Sequence, residues 1–172
     1  MTKKVKIIVT SIVVIILIMT GYFLFFTSKS DRLTVTDIHD KVIFGETTKK
    51  DIENRYGKPK KTNRNIKKVN EVFEYWNGYE GGVNYMLEQN TNYFETEKAD
   101  HSSMKKYFKS IENAKSDIYY DSYIEYEGKN LGANYVRFFL YKGMVRGVQY
   151  GGEITDDGVA KKDKYLKQLY GD

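Results

Sequence analysis

Tyrosine, phenylalanine and arginine alternate along two neighbouring segments near the C-terminus, where they could form a binding surface. The dipeptide Lys142-Gly143 predicts the two-residue turn of a β-hairpin, which places Tyr141 opposite Met144. Because successive side chains of a strand point to opposite faces, this register collects the aromatic and basic residues on one face. Rigid rings beside guanidinium groups are typical of interfaces, so a protein or a stacked wall sugar would fit this face. The predicted binding residues are Tyr135, Arg137, Phe139, Tyr141, Arg146 and Tyr150.

An uninterrupted hairpin also pairs Phe139 with Arg146 and Tyr135 with Tyr150. The opposite face of the same hairpin carries aliphatic and phenylalanine side chains and is predicted to be core. The alternative for the aromatic and basic face is burial under a helix. In that case Arg137 and Arg146 must find acidic partners or extend their charged ends to solvent.

Residues 58–68 form a second candidate contact surface, rich in lysine and arginine and without an acidic residue. Such a stretch could bind an anionic partner such as lipid headgroups or a wall polymer. The alternative is a solvated loop that leads into a strand, because the basic residues are interrupted by Asn and Thr and lack helical spacing. The sequence leaves open whether this stretch or the hairpin face makes the contact.

Chemistry that depends on a metal, a cofactor or a nucleophile finds little support in the residue pattern. The chain has no Cys, and its two histidines, His39 and His101, lie far apart, so no set of three or four metal ligands is indicated. Gly78, Gly81 and Gly82 are not followed by the Lys-Ser/Thr pair of a phosphate-binding loop. No nucleophile elbow is present either. We therefore predict no metal, no cofactor and no enzymatic activity.

The distribution of charge argues against nucleic acid as a partner. The 172 residues include 28 Lys and Arg and 23 Asp and Glu, which gives a net charge of +5. Four of the basic residues and none of the acidic ones precede Ser30. The rest of the chain is therefore close to neutral, whereas a nucleic-acid-binding domain is expected to carry a marked basic excess.

Residues 7–26 contain no charged side chain, and about 20 helical residues suffice to cross a bilayer. This segment is longer than the apolar core of a cleaved signal peptide. The short, lysine-bearing tail before it favours a cytoplasmic N-terminus. The predicted organisation of this single-pass cell-membrane protein is a cytoplasmic tail at 1–6, a transmembrane anchor at 7–26, a linker at 27–33 and an extracellular domain at 34–172.

The domain that follows is predicted to be α+β. Thr48 and Asp51 form a capping box for a short helix that ends at Gly57. An earlier short helix, capped by Thr34 or Thr36, is closed by Gly45. Because the strand patterns cluster rather than alternate with helices, the sheet should be antiparallel, with one further helix around Met104 to Ile111 and a weak C-terminal helix. Strands are predicted at 69–76, 83–87, 93–96, 117–127, 134–141 and 144–150.

The stretch from Ile43 to Pro59 resembles the opening signature of the SmpA/OmlA (BamE-like) and BLIP-like fold group, in which a Gly and a Thr precede a short helix that ends at Gly-x-Pro. The resemblance implies two short helices packed on one face of a small antiparallel sheet. It also implies an extracytoplasmic, protein-binding, non-enzymatic module. Because the chain lacks the lipid-anchored Cys of the outer-membrane members, the resemblance favours the anchored relatives of Gram-positive bacteria.

The function predicted from these features is a membrane-anchored, extracytoplasmic binding module of the bacterial cell envelope. Its expected partner is a protein or a wall polymer. The first alternative is an inhibitor or immunity factor that blocks one specific protein. The second is a wall-directed hydrolase, which would require a catalytic carboxylate. The sequence identifies neither the partner nor the oligomeric state.

Overall fold

The computed structural model describes residues 11–20, 29, 31–77, 82–89, 93, 97–114 and 119–170. The predictions that fall on residues 1–10, 21–28, 30, 78–81, 90–92, 94–96, 115–118 and 171–172 lie outside this part of the chain. The helices are α1 (Val35–Lys41), α2 (Lys49–Tyr56), α3 (Ile66–Asn77), α4 (Val83–Glu88), α5 (His101–Asn113), α6 (Asp157–Ala160) and a 3-10 helix at Leu166–Tyr170. The strands are β1 (Lys61–Asn63), β2 (Ser122–Tyr126), β3 (Ala133–Tyr141) and β4 (Met144–Ile154).

The four strands of the described residues form one antiparallel sheet in the order β1-β2-β3-β4. This confirms the predicted α+β class with an antiparallel sheet. Two predicted strands are wrong, because residues 69–76 lie in α3 and residues 83–87 lie in α4. In α3, Val69, Val72 and Phe73 share one buried side, so the apolar residues follow helical spacing. Their short run also fits an alternating strand, which is the source of the error.

The first two helices begin as their capping residues predict. The Thr34 hydroxyl accepts from the Asp37 N–H at the start of α1. Thr48 and Asp51 form the complete capping box of α2, and α2 ends at Gly57 with a φ of 87°. α1 ends at Lys41, three residues before the predicted end, and Gly45 lies in the following loop with a φ of 91°.

The sheet separates two hydrophobic cores. The larger core lies under α1, α2, α4 and the 3-10 helix and includes Ile38, Ile52, Val136 and Phe138. The smaller core lies under α3 and α5 and is built on Val69, Tyr107, Tyr120, Tyr123 and Phe139. Helices therefore cover both faces of the sheet, whereas the sequence predicted two short helices and one additional helix without assigning a cover to the second face.

No helix in the part of the chain that the structure describes is long and apolar enough to cross a membrane. The predicted transmembrane helix at 7–26 is therefore wrong, and so is the localisation built on it, a single-pass membrane protein with a cytoplasmic N-terminus and an extracellular domain. Within that segment, residues 11–20 are helical.

Candidate functional site

The predicted turn of the final hairpin is present, but the strands beyond it are out of the expected register. Lys142 and Gly143 both have positive φ, and Tyr141 lies opposite Met144, as predicted. Leu140 then pairs with Val145, whereas Phe139 pairs with Gly147, so Arg146 is an extra residue in β4. This β-bulge turns the residues after it to the opposite faces of the sheet.

Phe139 is fully buried in the smaller core, with α3 and α5 over it. Its ring contacts those of Phe73, Tyr120 and Tyr123 at centroid distances of 5.2, 5.1 and 5.7 Å. Tyr141 is partly exposed and packs against the same core. The middle of the predicted binding face is thus an interior, which is the alternative that the sequence left open.

Tyr150 lies on the other side of the sheet because of the bulge. It pairs with Val136 instead of Tyr135 and is buried in the larger core. Burial raises the pKa of its hydroxyl well above the ordinary tyrosine value. Its register makes Tyr150 a core residue separated from the other predicted binding residues by the sheet.

Arg137 and Tyr135 form a closed group at the end of the sheet far from the hairpin turn. The Arg137 Nε donates to Glu125 at 2.7 Å, and the side chains of this ion pair are only 11% and 9% exposed. The guanidinium lies 4.1 Å from the centre of the Tyr135 ring and also donates to the Tyr135 hydroxyl. That ring covers Gly151, where an added Cβ would lie 1.7 Å away. Arg137 has therefore found the acidic partner that its burial requires.

Arg146 is buried as well, but no carboxylate of the described residues lies within ion-pair distance of it. Its guanidinium lies beside the sulfur atoms of Met104 and Met144 and 5.2 Å from the centre of the Tyr107 ring. Burial lowers the pKa of Arg146. The six predicted residues are therefore divided between two cores and one ion-paired edge and do not form one open surface.

The basic stretch 58–68 covers β1, the adjoining turns and the start of α3. Lys60 pairs with Glu127, Lys67 lies 3.8 Å from Glu71, and Lys61 lies over the ring of Tyr123. Half of its basic side chains are thus engaged in contacts within the chain. Exposed lysines on a short edge strand also prevent that edge from pairing with other chains.

An open cleft between α1 and α2 is the feature that sequence reasoning missed. It encloses about 610 Å³. Its apolar floor is formed by Val42, Ile43 and Ile52. Polar and charged residues form the rim, namely Arg32, Lys41, Glu46, Thr47, Asp51, Asn54 and Arg55.

Two charged groups at this cleft are fixed by contacts within the chain. The Arg55 Nε donates to Asp37 at 2.6 Å, and the Tyr56 hydroxyl donates to the same carboxylate at 2.8 Å. This carboxylate raises the pKa of Arg55 above its ordinary value. Asp51 accepts from the Thr48 hydroxyl and N–H, and these bonds lower the pKa of the carboxyl.

Arg32 and Lys41 are the cations of the rim that remain available. Both are exposed, and neither forms an ion pair with a described residue. Glu46 is an exposed acid on the same rim. The helix caps of α1 and α2 were readable in the sequence, but the gap between the two helices depends on how both pack against the sheet.

A second cleft of about 510 Å³ lies between the start of α1 and the C-terminal segment. Its charged rim consists of Lys162, Lys164 and Lys167. Asp163, also in its lining, accepts from the N–H groups of Thr36, Tyr165 and Leu166. This carboxylate therefore ties the C-terminal segment to α1.

The two histidines occupy unrelated positions. His39 is buried, with Nε2 2.9 Å from the Tyr93 carbonyl and Nδ1 3.0 Å from the Asp40 carboxylate. His101 is exposed at the first position of α5. Among the described residues, no three His, Cys, Asp or Glu side chains lie close enough together to hold a metal ion.

Comparisons of the chain with protein-family models, with curated proteins and with solved structures found no match. The resemblance to the SmpA/OmlA (BamE-like) and BLIP-like group stays a prediction. The candidate site therefore rests on the geometry of the α1–α2 cleft alone.

Proposed function

We propose that the protein is a non-catalytic binding module that holds an acidic segment of a partner protein in the α1–α2 cleft. The observation that carries this proposal is the combination of an apolar floor with two exposed cations, Arg32 and Lys41, that have no ion-pair partner among the described residues. The volume of this groove lies within the range of ligand sites, in which polar groups fix the orientation of a ligand held against apolar side chains.

The charge of the rim favours an acidic partner. Arg55 is neutralised by Asp37, and Asp51 is held by the cap of α2, so both are fixed within the chain. The charged groups of the rim that remain able to bind a ligand are two cations, Arg32 and Lys41, and one carboxylate, Glu46. Complementary charge on a peptide would speed its association and select its register, while the apolar floor would hold one of its side chains.

Selection from a displayed library of random peptides tests this function. The library is selected on the wild-type chain, and the enriched peptides are then measured against the double variant Arg32→Glu, Lys41→Glu. We expect peptides with acidic and apolar residues, whose affinity falls roughly fivefold or more in the variant and weakens with added salt.

Lys162→Glu, Lys167→Glu provides the matched control, because it makes the same charge change at the second cleft. The control variant should bind the selected peptides as the wild type does. Equal binding by all three proteins, or equal loss in both variants, would show that the α1–α2 cleft is not the site.

A further inference from the structure

Arg146 presents an unusual arrangement of a buried cation. The residue is 6% exposed, and its Nε is buried without a hydrogen-bond acceptor among the described residues. Buried arginines are ordinarily paired with a carboxylate, as Arg137 is with Glu125 in the same sheet. The nearby carboxylate of Asp100 instead accepts from the Ser102 N–H at the start of α5.

Two thioether sulfurs contact the Arg146 guanidinium where a carboxylate would ordinarily pair with it. The Arg146 Nη1 donates to Met104 Sδ at 3.4 Å, and Nη2 lies 4.0 Å from Met144 Sδ. A thioether is a weak acceptor, so the guanidinium is left with unused donor capacity. Both methionines are partly exposed, so this group lies at the edge of the smaller core and not in a closed interior.

We propose that Met104 and Met144 form an oxidation site at which a peroxide converts a thioether into a sulfoxide and Arg146 binds the new oxygen. A sulfoxide oxygen is a much stronger hydrogen-bond acceptor than a thioether sulfur. Oxidation elsewhere in a core introduces a polar group without a partner and disrupts packing. Here the donor is already in place, because the guanidinium lies in contact with both sulfurs.

The reaction is a two-electron oxygen transfer. A sulfur lone pair attacks one oxygen of hydrogen peroxide, the O–O bond breaks, and an S–O bond forms. The second oxygen leaves as hydroxide and takes the proton of the attacked oxygen, so the products are the sulfoxide and water. The sulfur is oxidised and the peroxide is reduced, and a sulfoxide reductase can reverse the change.

The surrounding structure holds the guanidinium in this position. Gly45 lies against it, since an added Cβ at that residue would come within 2.7 Å of Arg146 Nη1. The Tyr107 ring lies on another side, 5.2 Å from the guanidinium carbon. The donor is therefore fixed before oxidation, and ordering it adds little to the cost of binding the oxygen.

Titration of the full chain with hydrogen peroxide, followed by peptide mass spectrometry and NMR, tests the proposal. We expect sulfoxide at Met104 or Met144 at lower peroxide than at Met86, which is also partly buried but packs against the larger core. The Nη–H resonances of Arg146, assigned by their absence in Arg146→Lys, should shift downfield and exchange more slowly. Methionine sulfoxide reductase should restore the original spectrum.

The double variant Met104→Leu, Met144→Leu keeps the side-chain volumes and removes both acceptors, so its Arg146 resonance should not respond to peroxide. The melting midpoint of the oxidised wild type should equal that of the reduced protein or be higher. Sulfoxide at these positions with unchanged Nη–H resonances would overturn the proposal. Prior oxidation of Met86, or a response of the same size in the double variant, would also overturn it.

Discussion

At the scale of single residues, Gly45 combines two requirements that can be measured separately. Its φ of 91° disfavours any residue with a Cβ, and the Cβ would also come within 2.7 Å of Arg146 Nη1 and 3.1 Å of Ser103 Cβ. Gly57 has nearly the same φ of 87° but no atom within 4 Å of an added Cβ. The two glycines therefore form a matched pair for separating strain from steric conflict.

We expect Gly57→Ala to lower the free energy of unfolding by about 1–3 kcal/mol, because a φ of 87° with a ψ of −159° lies in a region that is essentially restricted to glycine. Gly45→Ala should cost distinctly more, because Arg146 must move as well. Urea denaturation of both variants at pH 7 measures the difference. Equal losses of unfolding free energy would show that the Arg146 guanidinium can move away from residue 45 without destabilising the protein.

For single residues, prediction from sequence succeeds where the structural signal is local in the chain. Thr48 and Gly57 were identified, and Thr34 was one of two candidates for the first cap, because caps and stops depend on neighbours within four residues of the chain. Arg146 and Tyr150 were misplaced because the bulge between them depends on how β4 packs against the helices. No local signal distinguishes an Arg in a β-bulge from one in regular strand pairing. The binding face was therefore assigned to residues that are in fact buried in the two cores.

At the scale of elements, the capping box of α2 makes stability depend on pH. Hydrogen bonds from Thr48 hold the pKa of Asp51 below its ordinary value of 3.8, so the folded state releases this proton more readily than the unfolded state. The contribution of the carboxylate to stability is therefore complete above about pH 4 and is lost as pH falls through the folded-state pKa.

Asp51→Asn should reduce the free energy of unfolding at pH 7 by about 0.5 kcal/mol, through the lost charge at the helix N-terminus. As the pH falls below 3.8 and through the folded-state pKa, the difference from the wild type should shrink towards zero. Glu46→Gln, which removes an exposed carboxylate outside the helix, is the control. Urea unfolding followed from pH 2 to 7 makes the comparison. A difference independent of pH would contradict this account of the cap.

Helix and strand predictions failed where both patterns fit the same residues. The run from Val69 to Phe73 satisfies a strand as well as a helix, and burial of Val69 and Phe73 against Phe139 decides for the helix. The α1–α2 cleft was likewise not predictable, because its floor joins Val42 and Ile43 after α1 with Ile52 in α2. Local rules located the helices, but the spacing between them is a property of the packed molecule.

At the scale of the whole molecule, β3 joins the two cores. Phe138 is buried in the larger core and Phe139 in the smaller one, and they are adjacent in the chain. Because one strand supplies both interiors, loss of either core removes the support of the other. The described fold is therefore expected to unfold as one cooperative unit.

Phe138→Ala and Phe139→Ala should each lower the free energy of unfolding by about 3–5 kcal/mol. In both variants, far-UV circular dichroism and the fluorescence of the single Trp in α3 should report the same urea midpoint. Phe108→Ala, at an exposed position of α5, is the control and should leave the midpoint nearly unchanged. Separate midpoints for the two probes would show that the cores unfold independently.

The bulge at Arg146 is followed by a second irregularity, because Tyr135 pairs with Gly151 whereas Ala133 pairs with Ile154. β4 thus carries 11 residues against 9 in β3, and both extra residues belong to β4. Between the two irregularities, the side chains of β4 lie on the faces opposite to those expected for an uninterrupted hairpin. The expected alternation of faces returns at Ile154. Over evolutionary time, deletion of one residue at either point would move the side chains of β4 beyond it to the opposite face of the sheet. Loss of both extra residues together would leave both ends of the hairpin in their present pairing. Length changes in this strand should therefore be inherited in pairs.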